Sequence, residues 1–262
     1  MKSSEARSGD TGDAANTLSG VDRTIRVLKA VEAAGATNLA DIARRSGLNE
    51  ATALRYLNSL TNLGFVERFD STQYRLGWEV FRLGQSAISG RVPREAVRPT
   101  MEGLLLEFNE TVNFAMIKGD SVVIIDVLES RRGVKKANVV GQHDPWHASA
   151  LGKCLLASMS DAEWRNIVGT APLPAFTSRT ITAVDELADE IARTRDRGYA
   201  IDDEEADEEL CCVAAAVPAG PGQTPEYALS VSFVTHRLAP DILAHAGQRV
   251  KEAAAQIGAK LR

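Results

Sequence analysis

The sequence has 262 residues, of which 44% are hydrophobic, 25% charged and 5% aromatic. This is the composition of a globular protein with one large domain or two of ordinary size, and the formal net charge is -5. No run of about 18 apolar residues occurs, which excludes a membrane-spanning helix, and the N-terminus has no apolar stretch typical of a secretory signal.

Three cysteines are present, Cys154, Cys211 and Cys212. Their odd number and the absence of C-x-x-C spacing indicate free thiols in a reducing compartment. We therefore expect a cytoplasmic protein.

The charge is distributed unevenly along the chain. Residues 1–100 contain 14 Lys and Arg against 11 Asp and Glu, whereas residues 101–262 contain 16 against 24. The first part is thus mildly basic and the rest is acidic. Charges separated by more than roughly 10 Å are screened at ordinary salt. The basic first part of the chain can therefore approach a polyanion such as DNA without strong repulsion from the acidic second part.

The first elements in the chain are predicted to be helices. Residues 1–18 are rich in Ser, Gly, Asp and Ala and are predicted to be a disordered arm. A first helix follows with Ser19 as its N-cap, and a second begins after Asn38 and ends at the turn residue Gly47. A third helix begins near Asn49. Apolar residues recur at helical spacing in the first helix at Val21, Ile25, Leu28 and Val31.

The third helix has one apolar and one polar face. Advancing 100° per residue places Ala53, Tyr56, Leu57 and Leu60 together. Ala51, Arg55 and Asn58 project from the other side, flanked by Thr52 and Ser59.

The next segment, "GFVERFDSTQYRLG", alternates like a two-stranded hairpin with Arg68 and Arg75 near its tip. Three helices followed by such a wing predict a winged helix-turn-helix over residues 19–78, with the helix-turn-helix at 38–60. A helical hairpin that only packs against its neighbours is the alternative interpretation of 38–60.

The second part of the chain is predicted to have mixed structure. The segment "WEVFRLGQSAISG" predicts a linker helix over 79–95, and Pro93 and Pro99 mark the passage into a domain at 96–262. There we expect strands in "VNFAMIK", "SVVIIDVLE", "ANVVG", "YAID", "CCVAAAVP" and "EYALSVSFV", with helices before, between and after them. The fold class is therefore α+β, in two domains, the second an antiparallel sheet flanked by helices.

A series of motifs resembles the IclR family of bacterial transcriptional regulators. These are "SGVDRTIRVLKAV", "LADIARRSGLNEATALRYLNSLTNLGFVER", "YRLG", "HASALGKCLLA", "DRGYAIDDEE" and "CVAAAV", in the family's order and spacing. The resemblance implies a winged helix, a linker helix and a GAF-like effector-binding domain. It also implies a homodimer or dimer of dimers on palindromic double-stranded operator DNA, a small organic acid or aromatic metabolite as effector, and neither cofactor nor catalysis.

The predicted DNA contacts follow from the arrangement of a winged helix-turn-helix. A recognition helix presents short polar groups and a cation to the groove: Thr52 reaches phosphate, and Arg55 reaches phosphate or a guanine edge. Arg68, Arg75 and Arg23 are candidates for backbone phosphates, although each arginine alone fits a solvated surface role equally well. The full candidate set is Arg23, Arg44, Asn49, Ala51, Thr52, Arg55, Tyr56, Asn58, Arg68 and Arg75.

The recognition helix departs from the family's pattern. The family often has Ser-Thr-x-His-Arg-Leu where this chain has Ala51-Thr52-Ala53-Leu54-Arg55-Tyr56, so the operator sequence cannot be carried over. Glu50 would repel phosphate unless it accepts a hydrogen bond from cytosine.

The effector site implied by the resemblance carries over to seven positions. Ala150 and Leu151 offer backbone N–H groups at a helix start, which suit an anion. In an alternating strand Ser230 and Ser232 point to one face, either toward a pocket, where their hydroxyls would be donors, or toward solvent. His147 either lies near the pocket or makes a structural hydrogen bond. The effector set is Ala150, Leu151, Asp202, Leu210, Cys212, Ser230 and Ser232.

An acidic run precedes Cys211. Seven of the eight residues from Asp202 to Glu209 are acidic, and Glu209 stands where the family commonly has glycine. Most of these are predicted to form a solvated loop. If Asp202 or Glu209 faced the pocket, a simple anionic effector would be disfavoured, in favour of a neutral, amine-bearing or larger one.

The cysteines leave two other functions open. Cys212 and His147 could be a nucleophile and base, and Cys211 with Cys212 could form a thiol-based redox sensor if a thiolate were exposed with a depressed pKa. The sequence has no nucleophile elbow, phosphate loop or metal-ligand spacing, so we expect a regulator with no catalytic residue and no metal.

Overall fold

The computed structural model describes residues 20–33, 35–88 and 94–261. The predicted arm at 1–18, Ser19 and residues 89–93 of the predicted linker helix, which include Pro93, lie outside these ranges. The chain divides into two compact units between Arg91 and Val92, and each is described by itself.

The first unit contains helices, three short strands and a further helix. Its elements are α1 (Gly20–Glu32), β1 (Thr37–Asn38), α2 (Leu39–Ser46), α3 (Glu50–Asn62), β2 (Val66–Arg68), β3 (Gln73–Leu76) and α4 (Trp78–Ile88). The strands form an antiparallel sheet in the order β1-β3-β2, so the predicted wing has one additional short strand.

Local signals determine where α2 and α3 begin and end. The side chains of Asn38 and Asn49 accept hydrogen bonds from the backbone N–H groups of Asp41 and Thr52, which caps both helices. Gly47 closes α2 with φ +67°, the left-handed conformation that favours glycine.

The core of the first unit differs from the predicted apolar series in α1. Val27, Ala30 and Val31 are buried against Ile42, Leu57, Leu60, Val66 and Tyr74. Val21 and Ile25 are instead 71% and 46% exposed. Helical spacing identified the helix, but it did not show which of two apolar faces packs inward.

The second unit is built on a six-stranded antiparallel sheet in the order β6-β5-β4-β9-β8-β7. The strands are β4 (Thr111–Lys118), β5 (Ser121–Leu128), β6 (His143–Asp144), β7 (Ala200–Asp203), β8 (Leu210–Ala216) and β9 (Tyr227–Val234). The helices are α5 (Arg94–Phe108), α6 (Ala150–Ala157), α7 (Asp161–Val168), α8 (Val184–Arg197) and α9 (Pro240–Lys260). Pro99, which was predicted to mark the passage into the second domain, lies inside α5.

Alternation along the strands gives the sheet two buried faces. Val213 and Ala215 of β8 pack with α5 and α9, whereas Ala214 packs with α6. The apolar core therefore lies on both sides of the sheet, and α6 covers the face that carries the even-numbered positions of β8 and β9.

The predicted strand in "ANVVG" is wrong. Residues 137–141 are not a strand; Gly141 makes a turn with φ +94°, and the short strand β6 lies just beyond it. Asn138 is buried and hydrogen-bonded to Asn113 instead of joining a ladder. None of the helices in the described residues is long and apolar enough to cross a membrane.

Candidate nucleic-acid interface and ligand cavity

The polar face of α3 is arranged as predicted. Ala53, Leu57 and Leu60 are buried, whereas Ala51, Arg55 and Asn58 are exposed. Thr52 and Tyr56 are half-buried at the edge of this face, and the Arg55 guanidinium lies 5.6 Å from the centre of the Tyr56 ring. Asn49, besides being exposed, caps the helix.

The remaining candidate arginines differ in their partners. Arg75 donates to Glu67 at 2.6 Å and lies over the Phe69 ring, and Arg44 pairs with Asp41 at 2.6 Å. Arg68 lies over the Tyr74 ring and bonds its hydroxyl at 3.3 Å. Both wing arginines are thus held at the surface by neighbouring side chains. Arg23 is half-buried on α1.

A cavity of about 180 Å³ lies on the α6 face of the sheet in the second unit. Its lining includes six of the seven predicted effector residues: Ala150, Leu151, Asp202, Cys212, Ser230 and Ser232. Leu210 is the exception, since it does not line the cavity although it lies on β8. The serines are 2% exposed and face the cavity, so the alternative that they face solvent is wrong.

Strand register explains why these residues meet. Asp202 pairs with Cys212, and Cys212 pairs with Ser232, in one row across β7, β8 and β9. Asn113 on β4 pairs with Ser230 in the adjacent row. Residues that are far apart in sequence therefore share one patch of the sheet.

A directed hydrogen-bond chain covers this patch. The Asn113 side-chain amide donates to the Oγ atoms of Ser230 and Ser232 at 3.1 and 3.2 Å, and Cys212 Sγ also donates to Ser232 at 3.2 Å. Asn113 Oδ1 accepts from the Asn138 amide at 2.9 Å. Since both serine oxygens accept from Asn113, their own O–H groups remain available as donors.

The start of α6 forms another wall. Ser149 caps the helix by accepting from the Gly152 N–H at 3.0 Å, and its own hydroxyl donates to the Pro145 carbonyl at 2.9 Å. A Cβ at Gly152 would lie 2.4 Å from the Trp146 carbonyl oxygen, so only glycine permits this close approach. The N–H groups of Ala150 and Leu151 belong to the first turn, the end of a helix that attracts negative charge.

Asp202 occupies an unusual electrostatic environment. It is 3% exposed, and its Oδ1 accepts from the backbone N–H groups of Glu205 and Ala206 at 2.8 and 3.2 Å. Burial raises the pKa of Asp202 to about 7, although these hydrogen bonds and the charge of Lys153 act to lower it. Lys153, which is fully buried, forms an ion pair with Glu205.

The acidic run divides between solvent and cavity. Asp203, Glu208 and Glu209 are exposed, as predicted for a solvated loop, whereas Asp202 and Asp207 line the cavity. Glu209 does not line the cavity, and its φ of +61° accounts for the glycine preference at this position.

Sequence reasoning missed much of the cavity lining. The residues not predicted are Asn113, Lys136, Asn138, Gln142, His143, Asp144, Pro145, Ser149, Phe176, Ala206 and Asp207. Only Asn113 carried a signal, since it is an isolated polar residue with the same period-2 placement in an apolar strand as the serine pair.

The environment of the cysteines opposes thiolate chemistry. Burial raises the pKa of Cys211 to about 12 and the pKa of Cys212 well above its usual value. His147 forms a hydrogen bond through Nε2 with the Pro174 carbonyl oxygen at 2.9 Å and stacks on Phe176. This is the structural hydrogen bond given above as one of its two alternatives. Burial also lowers the pKa of His147.

Together, a helix-turn-helix unit with an exposed polar helix and a sheet unit with a polar cavity define a DNA-binding regulator that carries a small-molecule-binding domain. Comparison with known proteins agrees. The family model for the IclR helix-turn-helix domain matches residues 20–69, and that for the bacterial transcriptional regulator IclR C-terminal domain matches residues 85–259.

Relatives match along nearly the whole chain. The transcriptional repressor IclR of Escherichia coli K12 is 29% identical over 94% of this chain and 91% of its own length. The HTH-type transcriptional repressor AllR of the same strain is 30% identical over 92% of this chain and 89% of its own length.

Solved structures give the same result. An IclR homolog from Microbacterium hydrocarbonoxydans complexed with 4-hydroxybenzoate has a TM-score of 0.80 at 25% identity, covering 93% of this chain and 99% of its own. A transcriptional regulator from Rhodococcus sp. RHA1 has a TM-score of 0.79 at 26% identity, covering 92% and 97%. The chain belongs to the IclR family of transcriptional regulators. It is a DNA-binding regulator with a C-terminal effector-binding domain.

Proposed function

We propose that this chain represses transcription from a palindromic operator, and that a small molecule bound in the 180 Å³ cavity controls its affinity for that DNA. The observation that carries the proposal is the cavity itself, because this one site contains six residues that the family's effector site predicts. The E. coli relatives are named as repressors. In this proposal the protein acts in the cytoplasm, with a head at 19–78, a linker helix at 79–95 and an effector domain at 96–262.

The head would bind DNA through α3. Thr52 and Arg55 would contact phosphate and a base edge, and Arg68 and Arg75 on the wing would contact backbone phosphate. The other candidates from Arg23 to Asn58 would lie around this footprint.

The regulator would act as a homodimer or a dimer of dimers. Exposed apolar side chains on α1 and α4 support this: Val21 and Trp78 are 71% and 73% exposed, and Phe81, 4.7 Å from the Trp78 ring, is 51% exposed. Exposed aromatic side chains of this size are typical of interaction surfaces. Pairing of two heads would match two half-sites of a palindrome.

The test is a titration of purified protein against the DNA upstream of its own gene. A random duplex of equal length is the control, and both are measured at two salt concentrations. We expect saturable binding that exceeds the control and weakens with salt, because phosphate contacts release counterions. Equal binding to both duplexes would contradict the proposal for this DNA.

Replacing Arg55 tests the assignment of α3. Arg55→Ala should cost about 1–3 kcal/mol of operator affinity, whereas Arg131→Ala, which removes the same charge from an exposed position in the second unit, should have little effect. Equal affinities of the two variants would show that Arg55 does not contact the operator.

A further inference from the structure

The cavity lining contains more acid than base. Asp144, Asp202 and Asp207 face it, against Lys136 and the exposed His143. Lys136 already forms an ion pair with Asp207, whose hydrogen bond and charge raise the pKa of Lys136 against the effect of burial. The charge of Lys136 is therefore largely neutralised.

Asp144 and Asp202 have no comparable partner. Neither forms an ion pair with a basic side chain in the described residues: Lys153, which lies near Asp202, pairs with Glu205, and Lys136, which lies near Asp144, pairs with Asp207. Burial raises the pKa of both carboxyls, because the surrounding protein stabilises their charge less well than water does. A cationic group in the cavity would stabilise it.

The opposite chemistry is found on the sheet and at α6. The Ser230 and Ser232 hydroxyls accept from Asn113 and have no acceptor for their own protons among the described residues. With the first-turn N–H groups of Ala150 and Leu151, they form a donor-rich wall suited to a carboxylate.

The hydrogen-bond chain has a matching polarity. It runs from Asn138 through Asn113 to the serines, and it leaves the buried Asn138 Oδ1 without a donor in the described part of the chain. Asn138 is 8% exposed and lines the cavity. The donor end of this chain, at the serine hydroxyls, is therefore the end that an acceptor such as a carboxylate would meet in the cavity.

We propose that the effector is a small zwitterion, an amino acid with a free carboxylate and a protonated amine. Its carboxylate binds at the serine and α6 wall, and its amine faces Asp144 and Asp202.

The cavity volume of about 180 Å³ is below the roughly 300–1,000 Å³ typical of pockets for drug-sized ligands. No group of acidic, His or Cys side chains in the described residues converges to hold a metal ion, so an organic cation fits this charge better. This inference rests on the proposed function, because it names the ligand of the same cavity.

The test is calorimetric titration of the full-length protein with matched sets of compounds. Each of the twenty common L-amino acids, β-alanine and 4-aminobutanoate is compared with the acid that lacks its amine and the amine that lacks its carboxylate. We expect at least one amino acid to bind at least tenfold more tightly than both of its analogues. Binding of the amine-free acids with equal or greater affinity, or no binding by any amino acid, would overturn the proposal.

Substitutions of Asp144 and Asp202 test whether these residues contact the amine of the ligand. Asp144→Asn should weaken the amino acid at least tenfold and leave its amine-free acid unchanged or tighter, a split that a general loss of structure would not produce. Asp202→Asn should show the same split if Asp144→Asn does not fold. Asp189→Asn, at an exposed position on α8, is the matched control and should bind as the unaltered protein does. Equal weakening of both ligands would contradict a contact between Asp144 and the amine.

The operator titration of the ligand-free protein separates the two proposals. If operator binding is specific but only amine-free acids bind the cavity, the regulator stands and the zwitterion is wrong. If an amino acid binds the cavity but no operator preference is found, the ligand class stands and the proposed function fails.

Discussion

The ionisation of Asp202 predicts how stability depends on pH. Its carboxyl is 3% exposed and its pKa is raised to about 7 from an ordinary value of 3.8. Between these two values the folded protein retains the proton and the unfolded chain releases it. The free energy of unfolding should therefore fall as pH rises from about 4 to about 7, and then level off.

The size of this effect follows from the same shift. One pKa unit corresponds to about 1.4 kcal/mol, so the interval from pH 5 to the folded-state pKa of about 7 contributes roughly 3 kcal/mol. Asp202→Asn removes the titration and keeps an oxygen that can accept from the Glu205 and Ala206 N–H groups. The variant should therefore gain about 3 kcal/mol relative to the unaltered protein when the pH is raised from 5 to 8.

The assay is urea unfolding at pH 5 and pH 8, followed by the fluorescence of Trp146 and Trp164 in the second unit. Asp203→Asn is the control, because Asp203 is on the same strand but its side chain is 59% exposed. The lowered pKa of His147 acts in the opposite direction, with stability rising as pH increases, but it is common to all three proteins and cancels in the differences. An equal stability difference between Asp202→Asn and the unaltered protein at both pH values would refute the reasoning.

Three further predictions concern residues that stabilise the two units. Lys153→Met should destabilise the protein by about 3–5 kcal/mol in urea unfolding, because it leaves the buried Glu205 carboxylate unpaired, and adding Glu205→Gln should recover much of this. Glu209→Gly should be neutral or stabilising by about 1 kcal/mol, since φ is +61°, whereas Glu208→Gly should not stabilise; thermal unfolding distinguishes them. Asn49→Ala should cost about 1 kcal/mol of head stability by loss of the cap on α3, and an unchanged thermal midpoint would contradict that role.

The sequence predicted best what depends on local periodicity and capping. The helix-turn-helix, including the start of α2 after Asn38, the turn at Gly47 and the start of α3 near Asn49, follows from signals within a few residues. The hairpin at 111–128 and the final helix were likewise predicted from signals within a few residues. The α+β class and the membership of the IclR family are confirmed.

Errors arose where tertiary structure determines the outcome. Apolar spacing in α1 did not distinguish the buried Val27 and Val31 from the exposed Val21 and Ile25, because the helix has apolar residues on two faces. The β-branched pair in "ANVVG" favoured a strand, but Gly141 turns the chain there. Neither the buried face of α1 nor the turn at Gly141 can be predicted from a few neighbouring residues alone.

The cavity-lining residues also divide into those that the sequence could place and those that it could not. Asp202, Cys212, Ser230 and Ser232 lie on regular strands, so their family positions place them on one face, and register brings them together. Lys136 and Asn138 reach the cavity from the irregular segment that precedes β6, whose path is fixed by long-range contacts such as the hydrogen bond from the Gly141 N–H to the Ile124 carbonyl. The strands thus supply the part of the site that the family shares. In the proposed zwitterion site, Asp144 on β6 and Asp202 on β7 supply the charge that selects among ligands, so a change in the charge of the effector between relatives would need substitutions at these two positions and no change in the path of the sheet.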